Sequence, residues 1–85
     1  MSFVVYILHS PSVGKYYCGH TNDINDRIRR HNAGFSKSTK HGKPWQLVTI
    51  FELATRSEAM ILEKRIKKRG IQRFLEDSNY TQFTF

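Results

Sequence analysis

Among the side chains of this 85-residue chain able to handle phosphate groups or move protons are Tyr6, Tyr17, Arg27, His31 and Glu63. A guanidinium presents a rigid fork of N–H donors that matches two phosphate oxygens, which a lysine cannot do. A carboxylate can hold a hard divalent cation whose other ligands are water and phosphate oxygens. A phenol titrates near about 10 and becomes a base only where positive charge lowers that value, whereas an imidazole titrates near about 6.5 without help. Together these groups suit phosphodiester hydrolysis, which needs an activated water, charge neutralisation at phosphorus and support for the departing oxygen.

The elements that must position them are legible in part. Phe3–Leu8 is apolar on both alternating faces, as in a strand covered on both sides, and is expected at the centre of a sheet. Lys15–His20 follows as its hairpin partner. A four-residue loop, Pro11–Gly14, sets Tyr6 opposite Gly19 and diagonal to Tyr17, so both phenols share a face. A three-residue loop would separate them. Gly19 suits a place where something approaches the backbone closely. Thr21-Asn22-Asp23 offers helix N-cap chemistry and Asn32-Ala33-Gly34 a stop, which predicts a helix over Ile24–Asn32. On that helix Ile24, Arg27, Ile28 and His31 share one arc, while Asn25, Asp26, Arg29 and Arg30 point elsewhere.

Phe35–Pro44 has almost no apolar content after Phe35 and reads as a mobile basic loop. Trp45–Phe51 alternates and predicts a third strand. Thr55-Arg56-Ser57-Glu58 has capping-box form and starts a helix that Gly70 ends. Its apolar stripe is Ala59, Leu62 and Ile66, with Met60 beyond and Glu63 between Ala59 and Met60, so a carboxylate sits in an apolar arc. Glu63 can also pair with Lys67 one turn on. Ile71–Leu75 predicts one more helical turn, packing Ile71, Phe74 and Leu75. Tyr80–Phe85 alternates aromatic and polar residues, and a sheet edge, a cover over an apolar surface and a frayed end all fit it.

Length places the chain as one small domain, 1–85, with a core over about 3–70 and a divergent tail over 71–85. One cysteine excludes an internal disulfide, and no Cys/His set has zinc-finger spacing, so a reducing compartment is the default. No signal-peptide pattern and no long apolar run is present, which leaves the cytoplasm as the expected location. Fourteen Lys and Arg against seven Asp and Glu give a net charge of +7. Such an excess attracts polyanions and is a footprint of nucleic-acid binding.

The paired tripeptides Val4-Val5-Tyr6 and Tyr17-Cys18-Gly19, the run from Asp23 to Asn32, Trp45-Gln46-Leu47-Val48, and Thr55 through Lys64 resemble the GIY-YIG nuclease superfamily. They are most similar to its short bacterial branch related to the nuclease domain of the excision-repair subunit. The resemblance covers Val4 to about Gly70. It implies an α+β fold, a three-stranded antiparallel sheet flanked by helices, and metal-dependent cleavage of DNA. Tyr6, Tyr17, Arg27, His31 and Glu63 are then the expected catalytic residues. Glu63 would hold a single Mg²⁺ or Mn²⁺, and Arg27 would stabilise the transition state. Which tyrosine takes the proton stays open, with Arg27, the ion and Lys15 as sources of positive charge. His31 either shares that role or is a helix C-terminal histidine favoured by the dipole. Cys18, where the family carries isoleucine, is expected as a small core residue.

Lys15, Arg30, Lys37, Lys40, Lys43 and Lys67, with Arg29, Lys64 and Lys68, are expected to meet backbone phosphates. DNA is the partner so implied, with no membrane and a monomer as the default. A binding protein that keeps the fold without cleaving is the alternative, and an RNA- or ribosome-associated protein a third.

Overall fold

The computed structural model describes residues 2–35, 37 and 39–83, with side chains described except for 78–83. Three strands, β1 (Phe3–Ser10), β2 (Lys15–Thr21) and β3 (Gln46–Leu53), form an antiparallel sheet in the order β2-β1-β3. β1 is central, as its two apolar faces require, and Val5, Tyr6, Ile7 and Leu8 are all buried. Ser10 pairs with Lys15 across the loop Pro11–Gly14, and the register that follows sets Tyr6 opposite Gly19 and Leu8 opposite Tyr17. The even loop therefore keeps both phenols on one face. Their ring centroids are 6.3 Å apart.

Helix α1 (Ile24–Ala33) covers that face, packing Ile24 and Ile28 against the cluster of Tyr6, Leu8 and Trp45. Asp23 caps it by accepting from Asp26 N at 3.1 Å, and Gly34 stops it at φ 84°, a conformation that a side chain would strain. Helices α2 (Arg56–Arg69) and α3 (Ile71–Phe83) cover the other face, where Ala59, Ile66 and Leu75 meet Val5, Ile7 and Cys18. The Thr55 half of the capping box forms at the head of α2, and the Glu58 carboxylate reaches one residue further back than the box requires. Thr55 Oγ1 accepts from Glu58 N, and Glu58 Oε1 reaches back to Ala54 N, both at 3.2 Å. Cys18 is a core thiol, pushed up to about 12 by burial and then by the Glu63 charge, far from the range of a nucleophile.

β1, β2 and α1 each run one or two residues past the expected end, and three other segments differ as well. The third strand begins after Trp45 and runs on to Leu53, because β1 offers partners as far as Phe3. The segment expected to be a mobile loop contains a 3-10 turn at Lys40–Gly42, and it is tied down where Thr39 and Gly42 are buried. The expected single turn at Ile71–Leu75 extends through Phe83, so Tyr80–Phe83 are helical and add no sheet strand. The segment has no glycine or proline to stop a helix already nucleated, and each further residue then gains a backbone bond. Residues 84 and 85 of that expectation lie outside the described ones. Ile71, Phe74 and Leu75 pack as expected. Among the described residues, no helix is long and apolar enough to cross a membrane.

Candidate active site

Tyr6 is 1% exposed, and its hydroxyl meets His31 Nε2 at 3.0 Å. His31, also buried, meets Thr39 Oγ1 through Nδ1 at 2.7 Å. The Arg27 guanidinium is near enough for its charge to favour the ionised form of the same phenol. His31 thus bridges the Tyr6 and Thr39 hydroxyls, one ring nitrogen to each. Burial, then the neighbouring Tyr17, raises the Tyr6 phenol well above its ordinary value, although Arg27 pulls the other way. Tyr6 is thus a phenol buried inside the core, and Arg27 alone does not bring it into the range of a base. Lys15, at the exposed hairpin tip, is not among the groups acting on it.

Gly19 explains how a tyrosine fits there. A Cβ at position 19 would stand 2.6 Å from the Tyr6 hydroxyl oxygen and 2.8 Å from Cζ. The phenol lies directly on the bare backbone of β2.

In front of Tyr6, a cleft of about 190 Å³ is lined by Tyr17, Arg27, Arg30, His31 and Phe35. Tyr17, half-buried, makes edge-to-face contacts with His31 and Trp45, with ring centroids 5.0 Å and 6.3 Å away. Arg27 stands at the rim of α1. Asp26 pairs with Arg29 and with Arg30, the latter at 3.0 Å, but among the described residues no carboxylate pairs with Arg27.

Glu63 approaches from α2, on the opposite face of the sheet, at the β2 edge. Its Oε1 lies 2.6 Å from His20 Nδ1 and its Oε2 2.7 Å from Lys67 Nζ. Burial pulls its carboxyl upward, yet the bonds from Lys67 and His20 prevail and hold it below the usual carboxylate value. It is therefore ionised at neutral pH. Lys67 also stands 5.9 Å from the centre of the Tyr17 ring, so this one ammonium links the carboxylate to the cleft around the edge strand. The pairing with Lys67 allowed by sequence is formed, within a half-buried site.

Among the described residues, no three of His, Cys, Asp and Glu converge into a metal cage. One ionised carboxylate does suit an ion such as Mg²⁺, which keeps most of its waters and takes the rest of its shell from substrate phosphate. Glu63 fits that use once the flexible, exposed Lys67 side chain yields Oε2.

The family described as the GIY-YIG catalytic domain matches residues 2–73. This chain belongs to the GIY-YIG family. It is 31% identical to the structure-specific endonuclease subunit slx1 of Schizosaccharomyces pombe, over 92% of this chain but 31% of that protein. With the UPF0213 protein BH0048 of Halalkalibacterium halodurans it shares 35% identity, over 79% of this chain and 71% of the relative. The solution NMR structure of the UPF0213 protein BH0048 from Bacillus halodurans superposes with a TM-score of 0.55 at 31% identity, covering 89% of this chain and 81% of that one. The three-stranded sheet and its helices are thus the GIY-YIG fold.

Sequence reasoning did not single out His20, Thr39, Asn32 or Trp45 of this GIY-YIG protein. His20 orients Glu63 from a position 43 residues earlier. Thr39 holds His31, while its carbonyl accepts from the Trp45 indole at 2.6 Å. Asn32 clamps the Trp45 backbone, accepting from its N–H at 2.5 Å and donating to its carbonyl at 3.2 Å. Only the strand alternation, which puts His20 on the α2 face, offered a signal for any of these. Lys37, Lys40 and Lys43 are exposed on the loop, and Arg30 reaches the cleft.

The network has a pH signature. His31 is held below the usual imidazole value by burial and then by the Arg27 charge, whereas in the unfolded chain an imidazole titrates near about 6.5. Unfolding then takes up a proton below that pH. The contribution is complete above about pH 6.5 and is lost as pH falls through the lowered folded value. A melting temperature lower at about pH 5.5 than at about pH 7.5 is expected, and His31→Gln should flatten that slope. An unchanged slope in the variant assigns the effect to other groups.

Proposed function

We propose that this chain is a metal-dependent endonuclease that hydrolyses DNA phosphodiesters, structure-directed or weakly sequence-specific. The convergence of Tyr17, unpaired Arg27 and the His31 network on one cleft, with ionised Glu63 linked to it through Lys67, carries this proposal. Membership of the family and the likeness to structure-specific endonuclease subunits from Schizosaccharomyces pombe and Brugia malayi support it. A net charge of +7 suits a polyanionic substrate.

Arg27 grips two non-bridging oxygens of the scissile phosphate and stabilises the charge that builds there. Tyr17, at the cleft surface, hydrogen-bonds and aligns the attacking water. Tyr6 and His31 do not touch substrate; they hold Tyr17 and Arg27 in place from the core, with His31 fixed by Thr39. Glu63, oriented by His20, would hold the divalent ion, which when bound supplies positive charge against the phosphate. Lys67, freed from Oε2, turns to a phosphate, and Lys37, Lys40, Lys43 and Arg30 extend the track along the backbone.

Nicking of supercoiled or branched DNA with Mg²⁺ or Mn²⁺ tests this against Glu63→Gln. Loss of charge stabilisation worth several kcal/mol predicts a drop on the order of a hundredfold or more, with DNA binding in EDTA unchanged. Binding without nicking by the native protein would favour a non-cleaving DNA-binding protein, in which Lys67 permanently closes Glu63. Equal nicking by both proteins would remove Glu63 from the site.

A further inference from the structure

An exposed phenylalanine is ordinary on a protein surface; Phe35 differs in where it stands and how it is held. It is 78% exposed and shares the cleft with Tyr17, Arg27, Arg30 and His31. Its backbone is fixed by the end of α1, since Phe35 N donates to Arg30 O at 3.1 Å and Gly34 N to His31 O at 3.2 Å. In helix ends of this kind an apolar residue just past the glycine usually packs back on an apolar residue of the last turn. Here the residue at that place is Arg30, so the ring has no apolar seat there, and Arg30 lines the same cleft. Lys43 adds a third cation, its Nζ 3.3 Å from where a Cβ on Gly34 would be.

An exposed aromatic face on a hydrogen-bonded backbone, sharing a cleft with cations, matches an unpaired nucleobase whose flanking phosphates lie on Arg27 and Arg30. A base inside an intact duplex cannot present its face to such a ring. We propose that Phe35 is a stacking residue for an unpaired nucleotide, so that the preferred DNA has a single-stranded segment at the cleft, as in a flap or a splayed junction. This rests on the cleft being the nuclease site proposed above, and it names the substrate class of that site.

Binding in EDTA separates this from catalysis. A fluorescent oligo-dT, a splayed fork and a blunt duplex are titrated against the native protein, Phe35→Ala and Phe35→Trp. Because the ring is exposed, neither substitution should disturb folding. Phe35→Ala should weaken oligo-dT and fork binding by about tenfold or more and duplex binding by less than about twofold. Phe35→Trp should bind like the native protein, with its added emission quenched by oligo-dT. Equal losses on all three DNAs, no loss on oligo-dT, unquenched emission or no DNA binding at all would each overturn the proposal. If selective loss is seen but the native protein cuts nothing, the nuclease proposal fails and stacking stands. If the native protein cuts forks and duplex alike and Phe35→Ala cuts as well as it does, stacking fails and the nuclease stands.

Discussion

Arg27→Lys should fold normally and cleave about 10² to 10³ times more slowly than the native protein, the range for removing one aimed donor from a transition state. The residue is exposed, so stability has little to lose. The charge is conserved, so long-range attraction of DNA persists and binding should fall only slightly. What is lost is the fork, because one ammonium cannot hold two phosphate oxygens in fixed geometry. Single-turnover rates at saturating protein report this directly. Arg29→Lys is the matched control, since Arg29 pairs with Asp26 on the outer side of α1 and should stay within about twofold of the native rate. If Arg27→Lys cleaves as fast as that control, Arg27 has no part in the chemistry.

Gly19→Ala should be among the most destabilising small substitutions in the chain. A methyl group there would overlap the Tyr6 hydroxyl oxygen at 2.6 Å and Cζ at 2.8 Å. The ring cannot retreat, for it is 1% exposed and its hydroxyl is bonded to His31. Forced repacking of this kind costs about 1–3 kcal/mol, and for a chain of this size each kcal/mol lowers the melting temperature by roughly 4–8 °C. The strand must shift, and with it Tyr17, so cleavage should fall in the folded fraction as well. Thermal unfolding followed by circular dichroism measures the first effect. A variant as stable as the native protein would mean that Tyr6 does not lie on Gly19.

How much of this was legible beforehand follows the range of each interaction. Asp23, Gly34, Thr55 and Gly70 mark helix ends through bonds to residues only a few positions away, so those ends are written locally. The parity of the Pro11–Gly14 loop decides the face of every later residue in the hairpin, so the shared face of Tyr6 and Tyr17 was within reach. Tyr80–Phe83 shows where a local pattern misleads: alternation alone suits a strand, but the helix begun at Ile71 had nothing to stop it.

The primary order by itself determined the starts of the first two strands and of the helices, the glycine beneath a phenol, and the side chains able to act on phosphate. Tertiary structure alone decided that His20 clasps Glu63, that Thr39 holds His31, that Tyr6 is buried while Tyr17 meets the cleft, and that Phe35 stays bare. Those outcomes depend on which surfaces meet across the sheet and how much water they exclude. Such quantities belong to the packed chain and have no counterpart in the spacing of residues along it.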